Sequence, residues 1–177
     1  MNNICSTPGI MNSWVKENIP EVVHSARILN DNNFGFIERN IVHNQTKYNI
    51  NNPLIVDYDF FSIFSFGILS GEVNSFATDK YSVTLSKPLA ERVFGNKNPI
   101  GEAIKYKGET FTIRAVMEEI PKNSSIRFDI LLPASHVAID TILSRSFSKA
   151  WGNVEAIIDQ LPSVSTCNNE ICDKTSC

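Results

Sequence analysis

The stretch that decides the fold is residues 82–119, SVTLSKPLAERVFGNKNPIGEAIKYKGETFTIRAVMEE. Its first four residues are typical of a strand, and Ser86 then offers an N-cap with Pro88 in the first helical turn. Gly95 stands where the residue after a helix takes positive φ, which costs glycine least. The pattern therefore predicts a strand that leads directly into a short helix.

A β-hairpin is predicted after that helix. NKNPIG at 96–101 reverses the chain, because Pro99 fixes φ and Gly101 is conformationally permissive. KGE at 107–109 makes a second turn between two alternating segments. One face of the second segment is expected to be packed, through Phe111, Ile113, Ala115 and Met117. The whole stretch has many residues that determine shape and almost none that are reactive.

The N-terminal part predicts a helix and several short strands. A helix capped by Ser6 or Thr7 should end before Pro20, with Trp14 and Val15 on its apolar face. VVHSARIL at 22–29 is β-like. Further short strands are expected, at 34–42, 46–50 and 53–57, with asparagine-rich turns around them.

An aromatic segment at 57–72, DYDFFSIFSFGILSGE, predicts a helix. Phe60, Phe64 and Ile68 recur at helical spacing, and Asp57 or Asp59 would cap the helix. Apolar stripes of this kind normally face the protein interior, so we interpret the phenylalanines as core.

The C-terminal part contains one clear strand, FDILL at 128–132. A helix or long turn is expected over 135–151, and VEAIIDQL at 154–161 is ambiguous between strand and helix. Residues 162–177 are polar and aperiodic, so we expect a poorly packed tail.

Composition excludes several classes of protein. The 177 residues are 42% hydrophobic and 20% charged, with a formal net charge of −3. Nucleic acid is not expected as a partner, because phosphate binding needs a basic surface. The most apolar run, 60–69, is shorter than the roughly 18 residues of a membrane span. We also expect no signal peptide at the N-terminus.

Neither metal chemistry nor catalysis is predicted. The four cysteines lack zinc-site spacing, and their state stays open between a disulfide and free thiols; they are Cys5, Cys167, Cys172 and Cys177. The histidines lie in separate segments, at His24, His43 and His136. Glu118 and Glu119 are interpreted as a solvated strand end. P-loop and dinucleotide-binding motifs are absent from the sequence. We therefore predict no catalytic, cofactor-binding or metal-binding residue, and rank a small hydrolase last.

Residues 82–121 resemble the periplasmic core domain of MacB-like and FtsX-like ABC transporter permeases. The resemblance is carried by Phe94-Gly95, by Asn98-Pro99-Ile100-Gly101, and by the strand pair that follows. IRFDILL at 126–132 and AWGN at 150–153 are also similar to this family. The resemblance is good over roughly 53–135, whereas the cysteine-bearing tail from Pro162 departs from it.

The resemblance implies an α+β fold in two lobes. A porter-like lobe would comprise residues 1–71 and 130–177, and a small inserted α/β lobe residues 72–129. The implied function is that of a non-catalytic periplasmic domain of an inner-membrane permease, which couples cytoplasmic ATP hydrolysis to export or partner contact.

The implied partners are the ATP-binding subunit or domain, an adaptor or outer-membrane protein, and a second copy in a homodimer. No cofactor is implied. The alternative is a free-standing extracytoplasmic ligand-binding or adaptor protein.

Overall fold

A computed structural model describes residues 10–30, 38–121, 123–136 and 154–160. These residues form three short helices and ten strands. In chain order they are α1 (Ile10–Asn18), β1 (Val22–Asn30), β2 (Asn40–His43), β3 (Thr46–Asn49), β4 (Leu54–Val56), α2 (Phe60–Ile63), β5 (Ile68–Gly71), β6 (Ser82–Ser86), α3 (Lys87–Phe94), β7 (Ala103–Tyr106), β8 (Glu109–Met117), β9 (Ile130–Pro133) and β10 (Val154–Gln160). A 3-10 turn, Asn74–Ala77, precedes β6.

The strands form one mixed sheet in the order β10-β1-β4-β9-β6-β8-β7-β2-β3, and β5 pairs with β8 beside this path. The β4–β9 and β6–β8 pairs are parallel, and the other pairs are antiparallel. This sheet with few helices confirms the predicted α+β class. Strands from both predicted lobes share the sheet, and the division into 1–71 with 130–177 and 72–129 stays a prediction.

Each face of the sheet carries its own hydrophobic core, because neighbouring residues of a strand point to opposite faces. On β9, Ile130 and Leu132 belong to the first core and Leu131 to the second. Helix α3 covers the first core through Leu89 and Ala90. The second core contains Phe60 of α2 and Phe76 of the 3-10 turn.

The strand, helix and hairpin predicted over 82–119 are confirmed. Gly95 ends α3 with φ of 62°, and Gly101 has φ of 87° in the following turn. Lys107 and Gly108 both have positive φ in the two-residue turn between β7 and β8. Ser86 occupies the N-cap position, but its hydroxyl makes no capping hydrogen bond.

The predicted packed face of β8 is wrong in its second half. Ile113 pairs with Val83, and the next pair joins Ala115 to Thr84, so that Arg114 is an extra residue in a β-bulge. The bulge reverses the facing of the residues after it. Phe111 and Ile113 therefore lie in the first core, whereas Met117 lies in the second.

The predicted aromatic helix is much shorter than its pattern indicates. Helix α2 ends at Ile63, and Phe64 is already extended. Ile68 lies in β5, which pairs with β8, and its side chain is 44% exposed. The interpretation of the aromatic cluster as core is confirmed for Phe60, which is fully buried.

The N-terminal predictions that fall on described residues are confirmed apart from one face, whereas the cap at Ser6 or Thr7 and residues 34–37 of the strand predicted at 34–42 lie outside those residues. Helix α1 ends at Asn18, just before Pro20, and Val15 is buried, but Trp14 is 51% exposed. The tryptophan therefore does not belong to the packed face. The predicted strands at 22–29, 46–50 and 53–57 correspond to β1, β3 and β4, and β2 occupies the end of 34–42.

The C-terminal ambiguity is resolved in favour of a strand. β10 pairs antiparallel with β1, from Val154 opposite Leu29 to Gln160 opposite Val22. The helix or long turn expected over 135–151 lies mostly outside the described residues, as do the 162–177 tail and all four cysteines.

Three buried hydroxyls lie along one face of β6. Ser82, Thr84 and Ser86 are at most 3% exposed, and their side-chain oxygens have no hydrogen-bond partner among the described residues. A buried polar group without a partner is costly. This face of the strand therefore reduces the stability of the fold.

Thr84→Val is expected to raise the free energy of unfolding by about 1 kcal/mol, because it removes an unsatisfied buried hydroxyl at similar volume. Urea denaturation monitored by circular dichroism measures the change. Thr112→Val on β8, where the side chain is only half-buried, is the control and should change stability little. A clear destabilisation by Thr84→Val would show that the hydroxyl is hydrogen-bonded in solution.

Candidate functional site

The three histidines lie in separate places. His24 is on β1, with Nδ1 4.0 Å from a carboxylate oxygen of Asp59. His43 is on β2, with Nδ1 3.0 Å from the carbonyl oxygen of Ala103. His136 follows β9 and is buried. In the described residues, no group of three or more metal-ligating side chains comes together.

Nε2 of His136 contacts a carboxylate oxygen of Glu109, the first residue of β8. The imidazole also packs against Phe111 and Tyr81, at ring-centroid distances of 5.0 and 5.2 Å. This environment joins the segment after β9 to the β7–β8 hairpin. It is a structural contact, and Ser135 next to the histidine is exposed rather than aligned with it.

A second polar cluster surrounds Asp57, which follows β4. Its carboxylate accepts hydrogen bonds from the Nε and NH2 groups of Arg27, both at 2.8 Å, and from the Arg27 backbone N–H at 3.0 Å. The side-chain amide of Asn12 in α1 donates a further bond at 2.9 Å. Asp57 therefore joins α1 to β1, and the planar Arg27 guanidinium fixes its orientation.

Asp59 adds a second connection to α1. Its carboxylate lies 2.6 Å from Nζ of Lys16 and accepts a longer bond, 3.4 Å, from the backbone N–H of Ser25. Partial burial acts to raise the pKa of Asp59, but the hydrogen bonds from Lys16 and Ser25 and the charges of Lys16 and His24 outweigh it and hold the pKa below its usual value. This contribution to stability is present above the unfolded-state pKa of about 4 and is lost as the pH falls further.

The cluster is completed by a contact between the Ser25 hydroxyl and the side-chain oxygen of Asn12, both buried residues. We call the whole set the α1 anchor: Asn12, Lys16, Ser25, Arg27, Asp57 and Asp59. It fastens α1 to β1 and to the start of α2 by side-chain bonds as well as by packing.

The predicted capping role of the two aspartates is wrong. Asp59 stands at the N-cap of α2 but makes no side-chain capping bond, and the Asp57 carboxylate binds Arg27 and Asn12 instead. Arg27 stands between buried residues on β1, and a basic residue in such a strand is a signal that a carboxylate partner is needed. That signal does not name the partner.

The opposite end of the sheet is open. β6 and β8 finish there and β9 begins, as the pairing of Ser86 with Met117 and of Leu85 with Ile130 shows. Two neighbouring cavities at this end share Glu119 and have volumes of about 290 and 380 Å³. We call this end the cleft end. Asn30, the last residue of β1, pairs with Leu54 at the start of β4 and so lies at the cleft end. Val22, the first residue of β1, therefore lies at the other end of the sheet, where it pairs with Gln160 of β10.

The larger cavity has aromatic and acidic walls, formed by Phe64, Phe66, Glu118 and Glu119. Both glutamates are exposed after the end of β8, which confirms the interpretation of a solvated strand end. The smaller cavity includes Arg127 and Asp129, and Asp129 lies 3.5 Å from the Arg92 guanidinium.

The chain shares its fold with the extracellular domain of an ABC-type transporter and with the periplasmic region of MacB. The chain belongs to the MacB-like periplasmic core domain family, which it matches over residues 7–164. The family assignment identifies a non-catalytic permease domain at the periplasmic or extracellular side of a membrane transporter.

Solved structures of this class share the fold at low sequence identity. A permease domain from Porphyromonas gingivalis is 23% identical with a TM-score of 0.70, over 90% of this chain and 70% of that one. The extracellular domain of the ABC-type transporter YknZ from Gram-positive bacteria is 14% identical with a TM-score of 0.61, over 89% of this chain and 75% of that one.

The periplasmic region of MacB from Actinobacillus actinomycetemcomitans is also similar, at 14% identity and a TM-score of 0.53, over 92% of this chain and 85% of that one. None of the curated proteins matches the sequence. Within the described residues, no helix is long and apolar enough to cross a membrane.

Proposed function

We propose that this domain couples ATP hydrolysis on the cytoplasmic side of its transporter to export or partner contact outside the membrane. The observation that carries the proposal is the α1 anchor. Coupling requires that a displacement at one end of the domain reaches the other end as a displacement of the whole sheet. Charged hydrogen bonds add a directional attachment to the packing of α1, so that a displacement of the helix is passed to the sheet.

The route of coupling follows from these contacts. Movement of α1 acts on Asp57 through Asn12 and on Asp59 through Lys16. Asp57 is bonded to Arg27 on β1, and β1 pairs with both β4 and β10. The sheet then carries the displacement to the cleft end. The two-lobe division, 1–71 with 130–177 and 72–129, is retained as part of this proposal.

The partners in this proposal are of two kinds. The ATP-binding subunit or domain acts through the membrane part of the transporter, and an adaptor or outer-membrane protein would contact the cleft end. A homodimer of the permease would bring two such domains side by side. The family assignment does not favour the alternative of a free-standing binding protein.

Asp57→Asn in the full-length transporter is expected to separate ATP hydrolysis from movement of the domain. The amide cannot receive the two charged Arg27 bonds as a carboxylate does, so the α1 anchor weakens. Energy transfer between a fluorophore at position 52, which is exposed at the cleft end, and one on the ATP-binding subunit should change on ATP binding in the unmodified transporter. In the variant this change should shrink while ATP hydrolysis continues.

The matched control is Asp79→Asn, which weakens an ion pair with Arg114 at 3.3 Å that is remote from α1. It should leave the ATP-dependent change intact. An unmodified transporter whose energy transfer is the same with and without ATP would overturn the coupling proposal. An equal loss of movement in both variants would remove the role of the anchor.

A further inference from the structure

Strand β5 leaves an open edge at the cleft end. It pairs with β8 on one side, from Ile68 opposite Met117 to Gly71 opposite Ala115. Among the described residues no strand pairs with its other side. Its outward backbone groups are therefore available to another extended segment.

The sequence of β5 lacks the residues that normally protect such an edge. Natural edge strands carry lysine, proline or inward-pointing charge, which discourage pairing with another chain. β5 reads ILSG, and its two large side chains, Ile68 and Leu69, are 44% and 52% exposed. β5 is short and has a bulge between Ile68 and Ser70, which limits extended pairing, but its exposed apolar side chains leave it accessible to recognition by strand addition.

Acidic groups lie at the beginning of this edge. The Glu118 backbone N–H donates to the carbonyl oxygen of Gly67 at 2.8 Å, just before β5. The Glu118 carboxylate lies so close to Gly67 that a Cβ added there would be 2.3 Å from its oxygen. Glu119 is exposed beside it, and neither glutamate forms an ion pair with a described residue. Two glutamates that form no ion pair with a described residue thus stand next to a cavity lined by Phe64 and Phe66.

We propose that the β5 edge, with Glu118 and Glu119 and the adjoining 380 Å³ cavity, binds an extended segment of a partner protein in which basic and apolar residues alternate. The backbone of that segment adds a strand to β5. Its basic side chains meet the two glutamates, and an apolar side chain enters the cavity that the two phenylalanines line. This inference rests on the proposed function, since it locates the partner contact at the cleft end.

A second copy of this chain fits the same edge less well. Antiparallel pairing of two β5 strands would bring Glu118 of one copy to the Glu72 end of the other. Glu72 is exposed and follows β5 directly. Like charges in neighbouring positions are destabilising, so the charge pattern favours a basic partner over self-association.

The test uses the 177-residue chain and three synthetic peptides of equal length. One alternates lysine with leucine, one alternates glutamate with leucine, and one is the lysine peptide with prolines that prevent strand formation. Binding is measured by fluorescence anisotropy and located by amide chemical shifts. The lysine–leucine peptide is expected to bind about tenfold more tightly than either of the others, with shifts at β5.

Two variants make the result specific. Leu69→Lys should weaken binding of the lysine–leucine peptide by about tenfold, and Val23→Lys on β1 should not, although Val23 is equally exposed at 53%. Changing Glu118 and Glu119 together to glutamine should remove the difference between the lysine and glutamate peptides.

Equal binding of all three peptides, or equal loss in both lysine variants, would overturn the proposal. A dimer in sedimentation that Leu69→Lys dissociates would also overturn it in favour of a second copy. Because peptide binding is measured without ATP or membrane, its failure is distinguishable from failure of the coupling experiment.

Discussion

Replacing Phe60 with alanine is expected to lower the free energy of unfolding by about 3–5 kcal/mol. Phe60 is fully buried at the beginning of α2, and four aromatic rings surround it. Their centroids lie at 4.8 Å for Phe64, 5.7 Å for Phe61, 5.8 Å for Phe66 and 6.1 Å for Phe128. The alanine would leave a cavity that these rings cannot fill, because the structure around a deleted core side chain relaxes only in part.

Urea unfolding gives the change in free energy, and Phe60→Leu is the matched variant. Leucine keeps most of the apolar volume, so its cost should be clearly smaller. Tyr58→Ala is the exposed control, since Tyr58 is 36% exposed and lies at the rim of the same cluster. A Phe60→Ala protein as stable as the Tyr58→Ala protein would contradict the position of Phe60 at the centre of the second core.

The effect of Phe60 reaches the candidate site through α2. Asp59 directly precedes the helix, and the backbone N–H of Phe60 donates to the carbonyl oxygen of Asp57 at 3.1 Å. Loss of the ring therefore loosens the turn that positions both carboxylates of the α1 anchor. We therefore expect that a variant which destabilises the second core also weakens the attachment of α1.

The features predicted correctly from the sequence are those that neighbouring residues determine. The turn at Gly95, the reversal at Gly101 and the two-residue turn at Lys107–Gly108 depend on local backbone preferences, and the structure has positive φ at all of these residues. The family resemblance rests on the same segment for the same reason.

The features missed depend on pairing between distant segments. Helix α2 ends at Ile63 because the chain after it turns to pair with β8, some fifty residues later. The bulge at Arg114 arises from the register between β8 and β6. The periodicity of a short segment does not show how that segment pairs with a distant strand. The sequence therefore predicts a longer aromatic helix and a strand without a bulge.

The α1 anchor was missed for the same physical reason. Its bonds join Asp57 to Arg27 and Asn12, which precede it by 30 and 45 positions. Two acidic residues before a helix have a sufficient local explanation as caps, and only the three-dimensional position of Arg27 shows that a stronger partner is available.

Gly71→Ala is expected to cost about 3 kcal/mol of unfolding free energy and to separate β5 from β8. Gly71 has φ of 78°, and a Cβ added there would be 2.0 Å from the backbone carbonyl oxygen of Arg114. A backbone atom of a central strand cannot yield by that amount. The alanine must therefore push the end of β5 away from its partner.

Gly101→Ala separates this clash from the strain of the dihedral angle. Gly101 has φ of 87°, but nothing lies within 4 Å of a Cβ built on it. Its alanine variant should lose only about 1 kcal/mol, the usual cost of positive φ for a residue with a side chain. The difference between the two variants in urea unfolding is the contribution of the contact between Gly71 and Arg114.

Amide hydrogen exchange locates the same effect. The Glu72 N–H donates to the Arg114 carbonyl oxygen at 3.0 Å, and the Glu118 N–H donates to that of Gly67 at 2.8 Å. Both amides should exchange faster in Gly71→Ala than in the unmodified protein, and their exchange rates should be unchanged in Gly101→Ala. Equal stability and equal exchange in the two variants would mean that β5 is not seated on β8, and the edge proposed for partner binding would then lose its template.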